Sequence, residues 1–236
     1  MKYQRILIKL SGEALAGSKG TGIDFEKVLS LCEEIKEVNE LGIEVGIVVG
    51  GGNFWRGRSN TQMDRCTSDY IGMLGTTMNA LAIGDAFKQL NVPVRVQTGV
   101  EMRQIAEYYI KDRALKHLGL KRVVVFGCGT GSPFFSTDTA AALRAAEINA
   151  DALVKATNVD AIYDKDPRKH DNAKKIPKLT YLEVLNNKDI NVMDSTATTL
   201  CMDNEIPIIV FDINKHGNLK KVVEGKRIGT VVSNGK

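Results

Sequence analysis

The chain has 236 residues, of which 43% are hydrophobic and 25% charged, and 32 basic against 28 acidic side chains leave a net charge of +4. That length supports one large α/β core or two small ones, and the mild charge fits a protein that handles anionic small molecules at least as well as one that binds nucleic acid, with no basic run carrying interleaved aromatics. Four scattered cysteines with no C-x-x-C pair argue against a zinc site or a disulfide framework, and no segment approaches a membrane span or a leader, so a reduced, cytoplasmic protein is expected.

Taken in chain order, Tyr3 to Leu10 is a strand by residue type, and it runs directly into Ser11-Gly12. Lys9, near the carboxyl end of that strand, is placed for the crevice where open α/β sheets bind ligands and can neutralise phosphate there; a lysine snorkelling from a strand end is the alternative. Gly17 to Gly22 is a flexible basic loop, regulatory or merely connecting. Asp24 then caps a helix with apolar spacing through Val28, Leu31, Ile35 and Val38, ended by Gly42.

A second strand, Glu44 to Val49, leads into Gly50-Gly51-Gly52-Asn53 and F-W-R-G-R, with Arg56 and Arg58 adding charge. Bare glycine amides between a strand and a helix N-terminus favour phosphate. Asp69 opens a long helical pattern whose small residues (Gly72, Gly75, Ala80, Ala82, Gly84) suit close packing against another helix, a symmetry mate included. A third strand, Val92 to Gln97, precedes a helix expected from Met102 to Leu118.

Arg122 to Asp138, R-V-V-V-F-G-C-G-T-G-S-P-F-F-S-T-D, holds the strongest local signal. A β-branched run breaks into Gly127, Gly129 and Gly131, where nothing hinders a charged ligand from reaching the backbone N–H groups. Hydroxyls follow, and Asp138 is expected to cap an alanine-rich helix from Thr139. An ordinary βα connection is the alternative. Beyond the helix come a strand, Ala152 to Ala156, and T-N-V-D-A-I-Y-D-K-D-P, where Thr157 and Asn158 are polar groups at a strand end and a purine could stack on Tyr163. Lys169 to Lys178 reads as an exposed excursion. Short helices at Tyr181 to Asn186 and after Asp194, a strand Ile206 to Asp212, a basic helix Asn218 to Glu224 and a strand Gly229 to Val232 complete the chain.

Strands and helices alternate, so four phosphate-friendly strand ends (Lys9 to Gly12, Gly50 to Arg56, Gly127 to Asp138, Thr157 to Asp166) gather at one edge of a mainly parallel sheet. Neither G-x-x-x-x-G-K-[ST] nor a clean G-x-G-x-x-G occurs, which disfavours a P-loop or a classical dinucleotide fold. One shared site that holds two phosphate-rich ligands end to end, with a cation between them, is what phosphoryl transfer demands.

I-L-I-K-L-S-G-E, V-V-G-G-G-N-x-x-R-G, G-T-G-S-P-F-F-S-T-D and K-A-T-N-V-D-A-I-Y-D-K-D-P, followed by V-M-D and P-I-I-V-F-D, resemble the bacterial uridylate kinases of the amino acid kinase superfamily, in the same order and over essentially the whole chain. The resemblance implies a single three-layer α/β/α sandwich around a mainly parallel sheet, with acceptor binding in roughly residues 1–150 and ATP binding in roughly 151–236. It implies transfer of the γ-phosphoryl group of Mg-ATP to UMP, giving UDP and ADP. Lys9, Arg56 and Asp138 match catalytic positions. Lys9, Leu10, Ser11, Gly12, Gly52 and Arg56 match contacts to the ATP phosphates, and Thr157, Asn158, Tyr163 and Asp166 match the adenosine pocket. Gly51, Asp69 and the run Thr130, Gly131, Ser132, Pro133, Phe134, Phe135, Ser136 and Thr137 match UMP binding. Mg2+ is expected to arrive with ATP, with no metal site of the protein's own, and Asp138 to orient Lys9 and the hydrated ion rather than act as a base; Asp194 is an auxiliary candidate. The family is typically hexameric and regulated by GTP and UTP, for which Gly17 to Gly22 and Arg103 are candidate contacts. Ser132, where asparagine is frequent, Ala161, where glycine is frequent, and a short segment between Arg58 and Asp69 depart from the family pattern. The alternatives are a relative acting on a carboxylate or carbamate such as acetylglutamate, and a non-catalytic uridylate sensor.

Overall fold

The computed structural model describes residues 1–56, 62–165, 170, 172–187, 190 and 192–235. The first strand, β1 (Arg5–Leu10), is the middle of the molecule, because its Ile6, Leu7, Ile8 and Leu10 are all buried and both of its edges are paired. A run apolar on both faces is what a strand needs when helices cover both sides of the sheet. After it come α1 (Glu13–Ala16), a short 3-10 turn, α2 (Phe25–Glu40) and β2 (Glu44–Val49). Asp24 caps α2 as expected, its carboxylate accepting from Lys27 N–H.

The chain continues through α3 (Arg65–Gln89), β3 (Val94–Thr98), β4 (Glu107–Tyr108), α4 (Lys111–Gly119), β5 (Val123–Gly127) and α5 (Thr137–Glu147). Then follow β6 (Ala152–Thr157), β7 (Ile162–Tyr163), β8 (Lys175–Ile176), β9 (Lys178–Thr180), α6 (Tyr181–Asn186), α7 (Ser195–Asp203), β10 (Ile208–Asp212), α8 (Asn218–Val223) and β11 (Thr230–Ser233). Nine of these strands form one sheet in the order β4-β3-β5-β2-β1-β6-β10-β11-β9, parallel except where β11 runs antiparallel to β10. β7 and β8 form a separate antiparallel ribbon.

Side-chain alternation sorts the core into two layers. Ile6, Ile8 and Leu10 of β1 pack with α2, α3 and α8 through Leu31, Ile35, Phe87 and Leu219. Leu7 faces the other way with Val124 and Leu153, under α4, α5, α6 and α7. The expected α/β/α sandwich with a mainly parallel sheet is therefore the fold found. Strands from the first 150 residues lie on one side of the β1/β6 boundary, together with β1, and β6, β10, β11 and β9 lie on the other. Among the described residues, no helix is long and apolar enough to cross a membrane.

Several local expectations need correction. No helix spans Met102 to Leu118: residues 107–108 pair with β3 instead, and the helix begins at Lys111. The glycine triplet does not enter a helix directly but turns at residues 52–54, and α3 starts at Arg65 with Asp64, not Asp69, as its cap. The polar stretch Lys169 to Lys178 is not wholly an excursion, since Lys175 and Ile176 form β8 against β7 and Lys178 opens β9 at the sheet edge beside β11. Helix α3 packs against another helix, α2, as its small residues predict, but its glycines meet other neighbours. A Cβ on Gly51 would meet the Gly72 carbonyl at 2.6 Å and Thr76 N at 3.0 Å, so Gly51 lies on the α3 backbone; Gly84 makes room for Val96.

Candidate active site

β1 leaves the sheet centre at a point where the chain crosses to β2 on one side and β6 on the other, the topology that opens a crevice at strand carboxyl ends. Lys9 shares the pleat face of Leu7, toward α5, and stands opposite Lys155 of β6 in register. Two like charges directly across a parallel pair repel. The structure resolves this with one carboxylate: Asp138 of α5 meets Lys9 Nζ at 2.8 Å through Oδ1 and accepts from Lys155 Nζ at 3.2 Å through Oδ2. Lys155 also donates to the Val192 carbonyl.

All three groups are largely withdrawn from solvent, with side-chain exposures of 12% for Lys9, 18% for Asp138 and 16% for Lys155. Burial alone would raise the Asp138 carboxyl, but the charges of Lys9 and Lys155 outweigh it and hold the group below the usual carboxylate range. Burial pushes the Lys155 ammonium down, Asp138 opposes the shift and Lys9 adds to it. The contact of Lys9 with Oδ1 is ionic rather than directional, and that oxygen accepts no hydrogen bond.

Asp138 is not the helix cap. Ser136 is: its backbone is extended and its Oγ accepts from Thr139 N–H at 3.1 Å, which sets Asp138 in the first turn, where the helix dipole also favours a carboxylate. Ser136 in turn donates to Asp194, which caps α7 by accepting from Ala197 N–H and receives the Thr139 hydroxyl at 3.1 Å. Asp194 thus ties the N-termini of α5 and α7 together.

The cleft beside this triad has a volume of about 480 Å³. Of the residues expected in the site, Lys9, Gly51, Gly52, Arg56, Asp69 and Asp138 line it, as do Thr130, Ser132, Phe135, Ser136 and Thr137 of the central loop. Arg56 is exposed and paired with Glu13. Asp69 lies inside α3, where Oδ2 accepts from Arg65 Nε at 2.9 Å and from Phe134 N–H at 2.8 Å. Leu10, Ser11 and Gly12 sit behind the wall: Leu10 is core, Ser11 Oγ accepts from Ala14 N–H, and a Cβ on Gly12 would strike Asn53 Oδ1 at 2.3 Å.

Gly131 has φ +85° and its missing Cβ would meet the Gly99 carbonyl at 2.5 Å, so only glycine fits. Phe134 adopts a left-handed φ of 71°, held by the Asp69 contact and by the Arg65 guanidinium 5.5 Å from its ring; Pro133 lies between it and Ser132, and Phe134 and Phe135 are exposed.

Across β1, Thr157 ends β6 with its hydroxyl donating to the Val159 carbonyl at 2.7 Å. Asn158 accepts from Asn214 at 3.1 Å, and the Tyr163 hydroxyl donates to Asp160, which also pairs with Lys175. These groups belong to the other half of the sheet from Asp69. Asp166 lies outside the described residues, as do Arg58 and Pro167.

Lys155, Arg65 and Glu13 were not singled out from the sequence. For Lys155 a signal existed: an otherwise apolar strand carries one lysine two residues before its end, much as Lys9 stands one residue before the end of β1. Among the described residues no group of three or more His, Cys, Asp or Glu side chains could hold a metal, and both oxygens of Asp138 face ammonium groups. Such a donor set does not cage a divalent ion by itself; it suits one brought in on phosphate oxygens.

The Amino acid kinase family model matches residues 4–212. Among solved structures, UMP kinase from Bacillus anthracis is similar at 38% identity and TM-score 0.95, covering 100% of this chain and 98% of its own. UMP kinase from Ureaplasma parvum is 36% identical with TM-score 0.91, covering 99% and 100%. Uridylate kinase from Archaeoglobus fulgidus is 28% identical with TM-score 0.72, covering 97% and 99%. A family model that spans most of the sequence, and relatives above 30% identity along its full length, agree with the sheet order and the site just described: the chain belongs to the amino acid kinase family.

Proposed function

We infer that the protein is a UMP kinase that moves the γ-phosphoryl group of Mg-ATP to UMP, giving UDP and ADP. The observation that carries this is the Lys9–Asp138–Lys155 triad at the sheet crevice, with glycine-rich loops beside it and two similar UMP kinases over the whole chain. Phosphoryl transfer needs little covalent help from the protein and much fixed positive charge and alignment. Lys9 and Arg56 supply that charge to the transferring group. Asp138, its carboxyl held low by two ammonium groups, is a poor proton acceptor, and a UMP phosphate oxygen is already a nucleophile at neutral pH. Asp138 therefore orients Lys9 and Lys155.

Gly51, Asp69 and Thr130 to Thr137 hold UMP in this proposal, with the uridine against the hydroxyl and phenyl groups of the central loop. Leu10, Ser11, Gly12 and Gly52 shape the ATP phosphate wall, and Thr157, Asn158, Tyr163 and Asp166 take the adenosine. The strand order supports an acceptor part in roughly residues 1–150 and an ATP part in 151–236, because the two sets of strands meet at β1 and β6. Mg2+ would arrive on the ATP phosphates, with Asp138 as the cleft acid beside Lys9 that would face it, and would supply neutralisation of phosphate charge.

Assembly as a homohexamer is part of the same proposal, supported by an exposed apolar row on α3, Tyr70, Leu74, Met78 and Leu81. Control by GTP and UTP is carried with it, as is a cytoplasmic setting, which four free thiols suit. The deciding test measures ADP release from Mg-ATP with UMP, dUMP, CMP, AMP, acetylglutamate, carbamate and no acceptor. UMP-dependent turnover above all others is expected; preference for acetylglutamate or carbamate overturns the acceptor, and UMP binding without turnover overturns the enzyme.

A further inference from the structure

Asn79 of α3 and Asn53 of the turn after the glycine triplet form an amide pair that the proposed chemistry does not use. Asn79 is fully buried and Asn53 nearly so. Asn79 Nδ2 donates to the Gly50 carbonyl at 2.7 Å and to Asn53 Oδ1 at 2.7 Å; Asn53 Nδ2 donates back to Asn79 Oδ1 at 2.9 Å and to the Gly22 carbonyl at 2.6 Å. Every amide hydrogen is spent. A fully satisfied buried network of this kind fixes one arrangement of the segments it joins.

What it fixes is the glycine triplet. A peptide unit is planar and trans, so the N–H of Gly51 points opposite to the C=O of Gly50. With that carbonyl held inward by Asn79, the Gly51 N–H is turned away from Asn79. Gly51 and Gly52 line the cleft, and among the described residues their amides donate to no acceptor in the chain. Glycine alone would let this peptide plane rotate freely. The backbone of Asn53 extends the clamp, since its carbonyl accepts from Gly22 N–H at 3.1 Å and from the Thr21 hydroxyl at 2.9 Å. Further up α3, Thr76 Oγ1 accepts from Cys128 N–H at 2.7 Å, so the same helix face also grips the central loop at its start.

We propose that Asn79, acting through Asn53 and the Gly50 carbonyl, is a positioning residue that aims the Gly51 amide at the transferring phosphates. The proposal rests on the phosphotransferase function given above. The test compares wild type, Asn79→Asp, Asn79→Ala and, as a control, Ile83→Ala, a buried position on α3 away from the cleft. Asn79→Asp keeps shape and the acceptor for Asn53 but cannot donate to Gly50. Both Asn79 variants are expected to lose about 10- to 100-fold in kcat at temperatures where they remain folded, as misplacement of one phosphate donor predicts, while UMP affinity by calorimetry falls less than kcat. Ile83→Ala is expected to lower Tm and leave kcat near wild type. Amide hydrogen exchange without ligand gives a second readout: Gly22, Phe54 and Trp55, whose N–H groups donate to Asn53 and Gly51 carbonyls, should exchange faster in both Asn79 variants and not in Ile83→Ala. Wild-type kcat in Asn79→Asp, or unchanged exchange at those three amides, overturns the positioning role. A wild type inactive with UMP overturns the function instead, and the exchange result then decides the clamp alone.

Discussion

Replacing Asp138 by asparagine keeps the shape of the side chain and removes the one negative charge between Lys9 and Lys155. At an effective dielectric of about 20, contacts at 2.8 and 3.2 Å are each worth about 5–6 kcal/mol of attraction. Desolvation of three groups and repulsion between the two lysines cancel much of it. The net cost expected is about 3–5 kcal/mol, the range for taking one partner out of a buried pair, or a fall in Tm of about 6–20 °C for a chain of this size.

The pH dependence separates this from a lost hydrogen bond. In the wild type the carboxyl is depressed when folded, so its contribution is complete above its unfolded value and fades as pH falls through the folded one. In the variant the Lys155 ammonium, already lowered by burial, loses its counter-ion; folded lysine then deprotonates before unfolded lysine, and stability is regained as pH rises toward about 10.4. Urea unfolding of both proteins from pH 3 to 10 should show a gap that is widest near neutrality and narrows at both ends. Turnover should fall by about 10²–10³-fold, the cost of misdirected charge at a reacting phosphate. A gap below about 1 kcal/mol, or one that is flat across pH, would refute the electrostatic account. Adding Lys155→Met to the variant should recover part of the loss, since it removes one of the stranded charges.

Arg56→Ala should behave in the opposite manner: both partners of the Arg56–Glu13 pair are more than half exposed, so stability should change by less than about 1 kcal/mol while turnover falls by about 10²-fold or more. Denaturant midpoints and kcat measured on the same preparation check this, and a large loss of stability would show that the arginine is structural. Thiol titration at pH 8 should give one fast equivalent, from half-buried Cys66. Burial pushes the Cys32 and Cys201 thiols up to about 12 and raises Cys128, so these three should react only on unfolding; a second fast equivalent would contradict the packing around them.

Most of the framework was legible because it rests on periodicities that residue type dictates. β1, β2, β5 and β10 are apolar runs, and α2 carries its cap and its apolar stripe in plain view. The central loop advertised its glycines and hydroxyls, and the sites at Lys9, Gly51, Asp69 and Asp138 do converge on one cleft. What was misread depends on the rest of the molecule. In S-T-D-T each residue can cap a helix; Ser136 does so because its backbone is the extended one, which frees Asp138 for the lysines. Glu107 and Tyr108 suit a helix as well as a strand, and β3 decided the matter by offering an open edge. Gly72 and Gly75 announced a close approach but not that the glycine triplet would be the visitor. Lys155 escaped notice because its meaning lies in the residue opposite it, and register is not written in either strand alone.

β1 is enclosed by β2 and by β6, and the second of these pairings joins residues 6–9 to residues 152–155. Loop closure over such a span is slow, because its entropy must be lost before the pairing gives anything back. On the ribosome β1 is made before its neighbours, and at about 5–20 residues per second it waits about 7–30 seconds for the second of them. The half of the sheet made before β6 can form in that interval with a mostly apolar strand left at its edge, a surface that invites pairing with other chains. Lys9, the single charge on that strand's inner run, then doubles as the guard of a temporary edge until Lys155 and Asp138 arrive to enclose it.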